Sequence, residues 1–190
     1  RIKYLNTEKE ELRINYNNKL FKSPLHGEYN LVNIAAAISF GLLFDVPIKF
    51  IQKSILDYQS KNNRSQKLMI NKTQFIMDAY NANPTSMEAA LNAYAGCKFL
   101  KKLVVLGDMF ELGSQSKEEH DNILKLCMKL NIDKICTIGL NFKKTSIDNK
   151  SIYKYENLES FIQKFDDKSS NFNGVLIKGS RAMQLENLIP

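Results

Sequence analysis

With 190 residues, 44% of them hydrophobic and 25% charged, the chain has the make-up of an ordinary soluble protein: one generous domain, or one domain and part of another. No apolar run approaches the ~20 residues of a membrane span, and no basic start followed by an apolar stretch marks a signal peptide. The net charge of +7 admits a polyanionic partner, but the lysines are scattered (Lys98, Lys101, Lys102, Lys143, Lys144, Lys150, Lys154) and no aromatic side chains interleave with them. A nucleic-acid partner is therefore not expected, and the charge reads as a solvated surface or as suited to a small anionic substrate.

Three cysteines, Cys97, Cys127 and Cys136, show no C-x-x-C spacing, and only two histidines, His26 and His120, accompany them. A zinc site is not expected, and a reducing, cytoplasmic setting is. The N-x-S/T strings at Asn63, Asn71 and Asn149 then reflect an asparagine-rich sequence rather than glycan sites. Because the first residue is Arg1, the chain reads as cut from something longer.

In chain order, residues 1–25 alternate short polar and apolar patches, as strands and loops closing a domain. Over residues 27–47, Ile34, Ala35, Ala37, Ile38, Gly41 and Leu42 recur at helical spacing, and Asp45-Val46-Pro47 ends that helix. A second amphipathic helix is predicted for residues 48–58, and the polar stretch 59–66 reads as a linker. Strands at 68–70 and 74–77 flank Asn71-Lys72-Thr73 as a hairpin. A helix is predicted over 84–95, stopped by Gly96. Next come strand 102–106, helix 116–130, strand 134–138, strand 151–155, helix 157–165, strand 175–178 and a last helix from about 181. Such alternation predicts an α/β fold, a Rossmann-like and mostly parallel sheet with helices on both faces, over roughly residues 65–190.

Ligands bind such sheets beyond the carboxyl ends of the strands, and here those ends carry polar residues. Asp78 ends the strand of residues 74–77 and either caps a turn or accepts ribose hydroxyls. Tyr80 and Asn81 follow it. Asn83 suits an N-cap before Pro84, with Thr85 and Glu88 as an alternative capping box. Asp108, after Gly107, makes at best a weak metal pair with Glu111. Lys178, Ser180 and Arg181, at the predicted start of the last helix, form a seat for a carboxylate or phosphate. His120 follows Glu118 and Glu119 near a helix start and reads as exposed rather than catalytic. Gly174 to Arg181 reads G-x-x-x-x-G-S-R, one step from a phosphate loop, but the residues between its glycines are a strand, so the chain has no true phosphate loop.

The strings GEYNLVN, NNRSQ, DAYNANPTSMEAA, VVLGDMFELG and LIKGSRAMQLE resemble, in order and spacing, the Mur ligase family, and most of all its D-alanyl-D-alanine-adding branch. The resemblance runs from about Gly27 to the end. It implies an ATP-dependent ligase of peptidoglycan precursor synthesis that joins D-Ala-D-Ala to UDP-N-acetylmuramoyl-tripeptide through an acyl phosphate, with Mg2+ at the phosphates. It implies that residues 1–62 end a central ATP-binding domain, that 63–190 form the C-terminal domain, and that the partners are the N-terminal and central domains of the same protein. Residue by residue, it places Asn30 and Asn33 at the adenine side of ATP, Arg64 at the nucleotide phosphates and Asp78 at the ribose. Tyr80, Asn81 and Asn83 would face the closing cleft, and Lys178, Ser180 and Arg181 would hold the acceptor's carboxylate with Asp108 nearby. Tyr29 stands where the family often has histidine, and the family's phosphate loop, magnesium ligands and modified lysine are absent from these residues, so the chain alone is expected to be inactive. A Mur-type ligase with another acceptor, or a non-catalytic anion-binding α/β module, are the alternatives.

Overall fold

The structure, a computed structural model, describes residues 2–5, 12–25, 27–165 and 172–189. His26, counted above against a zinc site, lies outside them. The chain divides into two compact units, Arg1–Ser60 and Lys61–Pro190.

In the first unit β1 (Ile2–Leu5), β2 (Leu12–Tyr16) and β3 (Lys19–Ser23) form an antiparallel sheet in sequence order. Asn17 and Asn18, at φ 46° and 59°, make the two-residue turn between β2 and β3, a conformation asparagine tolerates better than most residues. Two helices follow, α1 (Asn30–Leu43) and α2 (Ile48–Leu56). Ile34 and Ile38 of α1, Ile51 and Ile55 of α2, and Leu12, Ile14 and Phe21 of the strands make one core. Within it Ile51 lies so close to Gly41 that an added methyl group would meet its Cδ1 at 2.8 Å, the close packing that the small residues of α1 permit.

The second unit holds β4 (Gln66–Ile70), β5 (Thr73–Asp78), α3 (Pro84–Ala95), β6 (Lys102–Gly107), α4 (Ser116–Lys129), β7 (Lys134–Ile138), α5 (Leu140–Lys143), β8 (Ile152–Tyr155), α6 (Leu158–Lys164) and β9 (Gly174–Lys178). The strands order as β4-β5-β9-β6-β7-β8, with only β4 antiparallel to its neighbour. The β4–β5 hairpin turns on Asn71 and Lys72, both left-handed, as a two-residue hairpin loop requires. Strand β9 is buried throughout and is apolar from Val175 to Ile177, the pattern of a central parallel strand. Its Leu176 joins Val104, Leu106, Met87, Leu91, Leu124 and Phe142 under α3, α4 and α5. Val175 and Ile177 point the other way, to Val105, Ile138, Phe161 and Leu185. The sheet thus has helical cover on both faces, as expected.

One expected element differs. The residues after β9 form two 3-10 turns, Arg181–Met183 and Leu185–Leu188, rather than a continuous helix. Gln184 between them is left-handed (φ 50°), which redirects the chain so that Leu185 is fully buried against Gly107 and Gly179.

Candidate functional site

Chain order and sheet order part company at β9, which enters between β5 and β6 after β6, β7 and β8 have been laid down on one side. Because β5, β9, β6 and β7 are parallel, their carboxyl ends share one rim. Registry sets Asp78 directly opposite Lys178, and Leu106 opposite Lys178 on the other flank.

Asp78 and Lys178 form an ion pair, Nζ to Oδ2 at 2.7 Å, with side chains 16% and 3% exposed. The same Nζ donates to the Asn81 carbonyl at 3.0 Å, and the Ser65 amide donates to Asp78 Oδ1 at 3.0 Å. Asp78 thus binds the segment beside Arg64 to the end of β5, and Lys178 holds the loop before α3. A charge this deep needs such partners, since an unpaired ammonium would cost several kcal/mol. Two of the roughly four acceptor positions of the Asp78 carboxylate are taken, which leaves capacity for a hydroxyl. Lys178 is thus buried and engaged by Asp78 and the Asn81 carbonyl, rather than presented as a free cation beside Ser180 and Arg181.

Beyond that pair stands Tyr80, 42% exposed. The Arg64 guanidinium lies 3.8 Å from the centre of its ring and that of Arg181 lies 5.9 Å away. Planar guanidinium groups stack favourably on an aromatic face, at about 0.5–1 kcal/mol for exposed pairs. Arg181 also lies 3.6 Å from Glu186 Oε1. Next to Arg181, the Ser180 hydroxyl is buried with no hydrogen-bond partner among the described residues; Thr137 Oγ1 and Glu186 Oε2 share that condition. A hydroxyl there with no partner among the described residues leaves a donor and an acceptor unsatisfied, which is costly where the group is buried.

Asp108 is 3% exposed and is committed within the protein. Its Oδ2 accepts from the Asn141 amide and its Oδ1 from the Phe142 amide, both at 2.9 Å, so it caps the short helix α5. Its carboxylate fills the space a side chain at Gly139 would occupy: a methyl group there would come within 2.2 Å of Asp108 Cγ. Glycine at 139 therefore serves both this contact and its φ of 129°. Among the described residues no group of three or more His, Cys, Asp or Glu could hold a metal ion, and both Asp108 oxygens are already engaged by backbone amides.

The expectation that His120 is exposed is wrong. The ring is fully buried. Its Nε2 accepts from the Met109 amide at 3.0 Å, its Nδ1 donates to the Ser116 carbonyl at 2.6 Å, and Phe142 meets it edge to face at 4.5 Å. The signal was available: 120, 123, 124 and 127 make one helical stripe, and Ile123, Leu124 and Cys127 are its apolar members.

Asn83 is the N-cap of α3. Its Oδ1 accepts from the Ser86 amide and Ser86 Oγ accepts from the Asn83 amide, so the capping box runs through Ser86 and not through Thr85 and Glu88. Asn81 is exposed, its Oδ1 accepting from the next amide at 2.9 Å. In the first unit Asn33 Nδ2 donates to Asn30 Oδ1 at 3.1 Å, so the two asparagines share one face of α1, Asn30 buried and Asn33 exposed.

Comparison with known proteins follows the same residues. The family profile described as Mur ligase, glutamate ligase domain, matches residues 63–181. A UDP-N-acetylmuramoyl-tripeptide–D-alanyl-D-alanine ligase from Treponema pallidum is 32% identical over 184 residues, covering 94% of this chain and 40% of that protein. The ligase of the same description from Bacillus subtilis is 28% identical, over 89% of this chain and 39% of its own length. A crystal structure of MurF from Acinetobacter baumannii superposes with a TM-score of 0.82 at 26% identity, over 94% of this chain and 41% of that one. The chain thus spans about two fifths of the length of these relatives. A MurF ligase from Thermotoga maritima, solved in complex with ADP, shares the fold, with a TM-score of 0.77 at 20% identity over 98% of this chain and 44% of that one. With most of its length matched by one family profile, the chain belongs to the Mur ligases, and residues 63–181 are their glutamate ligase domain.

Proposed function

We propose that this chain is the C-terminal part of a cytoplasmic, ATP-dependent ligase that adds D-Ala-D-Ala to UDP-N-acetylmuramoyl-tripeptide. In that reaction the γ-phosphoryl group of ATP passes to the tripeptide carboxylate, the dipeptide amine attacks the acyl phosphate, and phosphate leaves as the amine gives up a proton. Residues 1–62 would close a central ATP-binding domain and 63–190 would supply the acceptor side. The observation that carries the reading is the rim cluster: two guanidinium groups, Arg64 and Arg181, gathered on one exposed tyrosine ring, adjoining the buried, unpartnered hydroxyl of Ser180. A dipeptide presents a terminal carboxylate, and a guanidinium with a hydroxyl is a natural receptor for it. Arg181 and Ser180 would hold that carboxylate, with Tyr80 and Asn81 beside them.

On the nucleotide side of the second unit, Asp78 would accept the ribose hydroxyls with its remaining lone pairs and Arg64 would reach the phosphates; in the first unit, described by itself, Asn30 and Asn33 would offer a polar face suited to adenine. Lys178 and Asp108 serve the same site indirectly, the first by orienting Asp78 and the second by holding strand ends together. Magnesium, where bound to the ATP phosphates, would neutralise their charge. The described residues offer it no cage, and Asp108 is already occupied.

The test is phosphate release by the full-length ligase with ATP, magnesium and the UDP-linked tripeptide, supplied in turn with D-Ala-D-Ala, D-Glu or a diamino acid. Release that depends on D-Ala-D-Ala, with the KM for ATP raised about tenfold or more by Asp78→Ala, is the expected result, since hydrogen bonds to an ionised group carry about 1.5–3 kcal/mol. Release driven by another acceptor would sink the D-Ala-D-Ala assignment.

A further inference from the structure

We propose that His120 is a positioning residue for acceptor binding, acting through the Asp108–Met109 peptide group; the proposal rests on the ligase reading above. The ring's protonation pattern follows from its partners. The Ser116 carbonyl can only accept, so Nδ1 carries the proton; the Met109 amide can only donate, so Nε2 is bare. The buried imidazole is therefore read as the Nδ1–H tautomer, bridging the first turn of α4 to the end of β6, with Asp108 Oδ1 3.7 Å from Nε2.

The Met109 N–H belongs to the same peptide plane as the Asp108 C=O. That carbonyl accepts the Ser180 amide at 3.3 Å. A trans peptide is rigid, with N–H and C=O on opposite sides of one plane, so fixing the N–H direction fixes the C=O direction. The result is a relay: imidazole, then peptide group, then the amide of Ser180, each hydrogen bond polarising the next. Ser180 precedes the turn that begins at Arg181 and carries the orphan hydroxyl. The Asp108 side chain, bound to the Asn141 and Phe142 amides, holds the near end of the plane. His120 removes the remaining freedom, rotation of the plane. Phe142 takes part twice, through its amide to Asp108 and its ring to His120, which closes the frame.

Two measurements test this. In the full-length ligase, His120→Leu leaves the buried Met109 amide unpaired and is expected to raise the KM for the acceptor dipeptide about tenfold, while the KM for ATP stays within about twofold. His120→Gln, whose Oε1 can accept from the same amide, is expected to restore most of the loss. A fall in kcat with the acceptor KM unchanged, an equal rise in both KM values, or a Gln variant no better than Leu would overturn the positioning role. The second measurement needs no variant: ring nitrogen-15 shifts of His120 in the unaltered protein at neutral pH. A protonated Nδ1 and a bare Nε2 are expected, and an Nε2–H tautomer or an imidazolium would overturn the relay even where the Leu variant fails to fold. Should the unaltered ligase use a different acceptor, the D-Ala-D-Ala reading falls alone, because the nitrogen shifts and that acceptor's KM still decide on His120.

Discussion

At the scale of single residues, the rim is organised by pairs that lie far apart in the chain. Asp78 and Lys178 are separated by 100 positions, and each is legible alone as a charged residue ending an apolar run. Their partnership was not legible, because it depends on β9 entering beside β5. Lys178 therefore read as a free cation for substrate, whereas the structure pairs it with Asp78 and buries it. Replacing Lys178 with Met should strip the Asp78 carboxylate of its cation and destabilise the second unit by about 3 kcal/mol, the low end for a buried pair because Asp78 keeps some solvent. Denaturant unfolding would measure it, and adding Asp78→Leu should recover part of the loss; no change on Lys178→Met would mean that the pair is solvated. The gathering of Arg64 and Arg181 around Tyr80 was equally invisible in sequence, since it joins three separate segments.

At the scale of elements, the strands were legible because parallel buried strands are short apolar runs bounded by glycine, asparagine and charge. Helix α3 announced itself through Asn83 and Pro84, and Ser86 rather than Glu88 completes the box. The final segment was misread for a tertiary reason: local pattern favours a helix after Gly179, but burying Leu185 over Gly107 and Gly179 demands the left-handed Gln184. Glycine positions show how tightly the strand ends are joined. Gly139→Ala would place a methyl group on the Asp108 carboxylate and strain a φ of 129°, so the cap on α5 must give way. The expected cost is about 2–4 kcal/mol, and faster amide exchange at Asn141 and Phe142 would localise it. Unchanged exchange at those two amides would disprove the coupling.

At the scale of the whole molecule, the two faces of the sheet each bury a thiol, Cys127 on one and Cys136 on the other. Burial pushes both thiols up to about 12, from an ordinary value of 9.0. Their unfolded-state thiols ionise first as pH rises, so the stability they represent is full below about pH 9 and is lost towards pH 12. Each should cost about 1.4 kcal/mol per pH unit across that window. Urea unfolding at pH 8, 9 and 10 should show the fall, and Cys127→Ser with Cys136→Ser should flatten it; a stability independent of pH in that range would contradict the burial. The sheet order carries a consequence for how the protein is made. Of the six strands of this sheet, the central one is the last to leave the ribosome. Until Gly174–Lys178 emerges, β4–β5 and β6–β7–β8 are two half-sheets whose inner edges, at Gln74–Asp78 and Lys102–Leu106, have nothing to pair with. Such edges are templates for another chain, so the interval of synthesis between β8 and β9 is the time of greatest exposure to aggregation, and chaperone demand concentrates there.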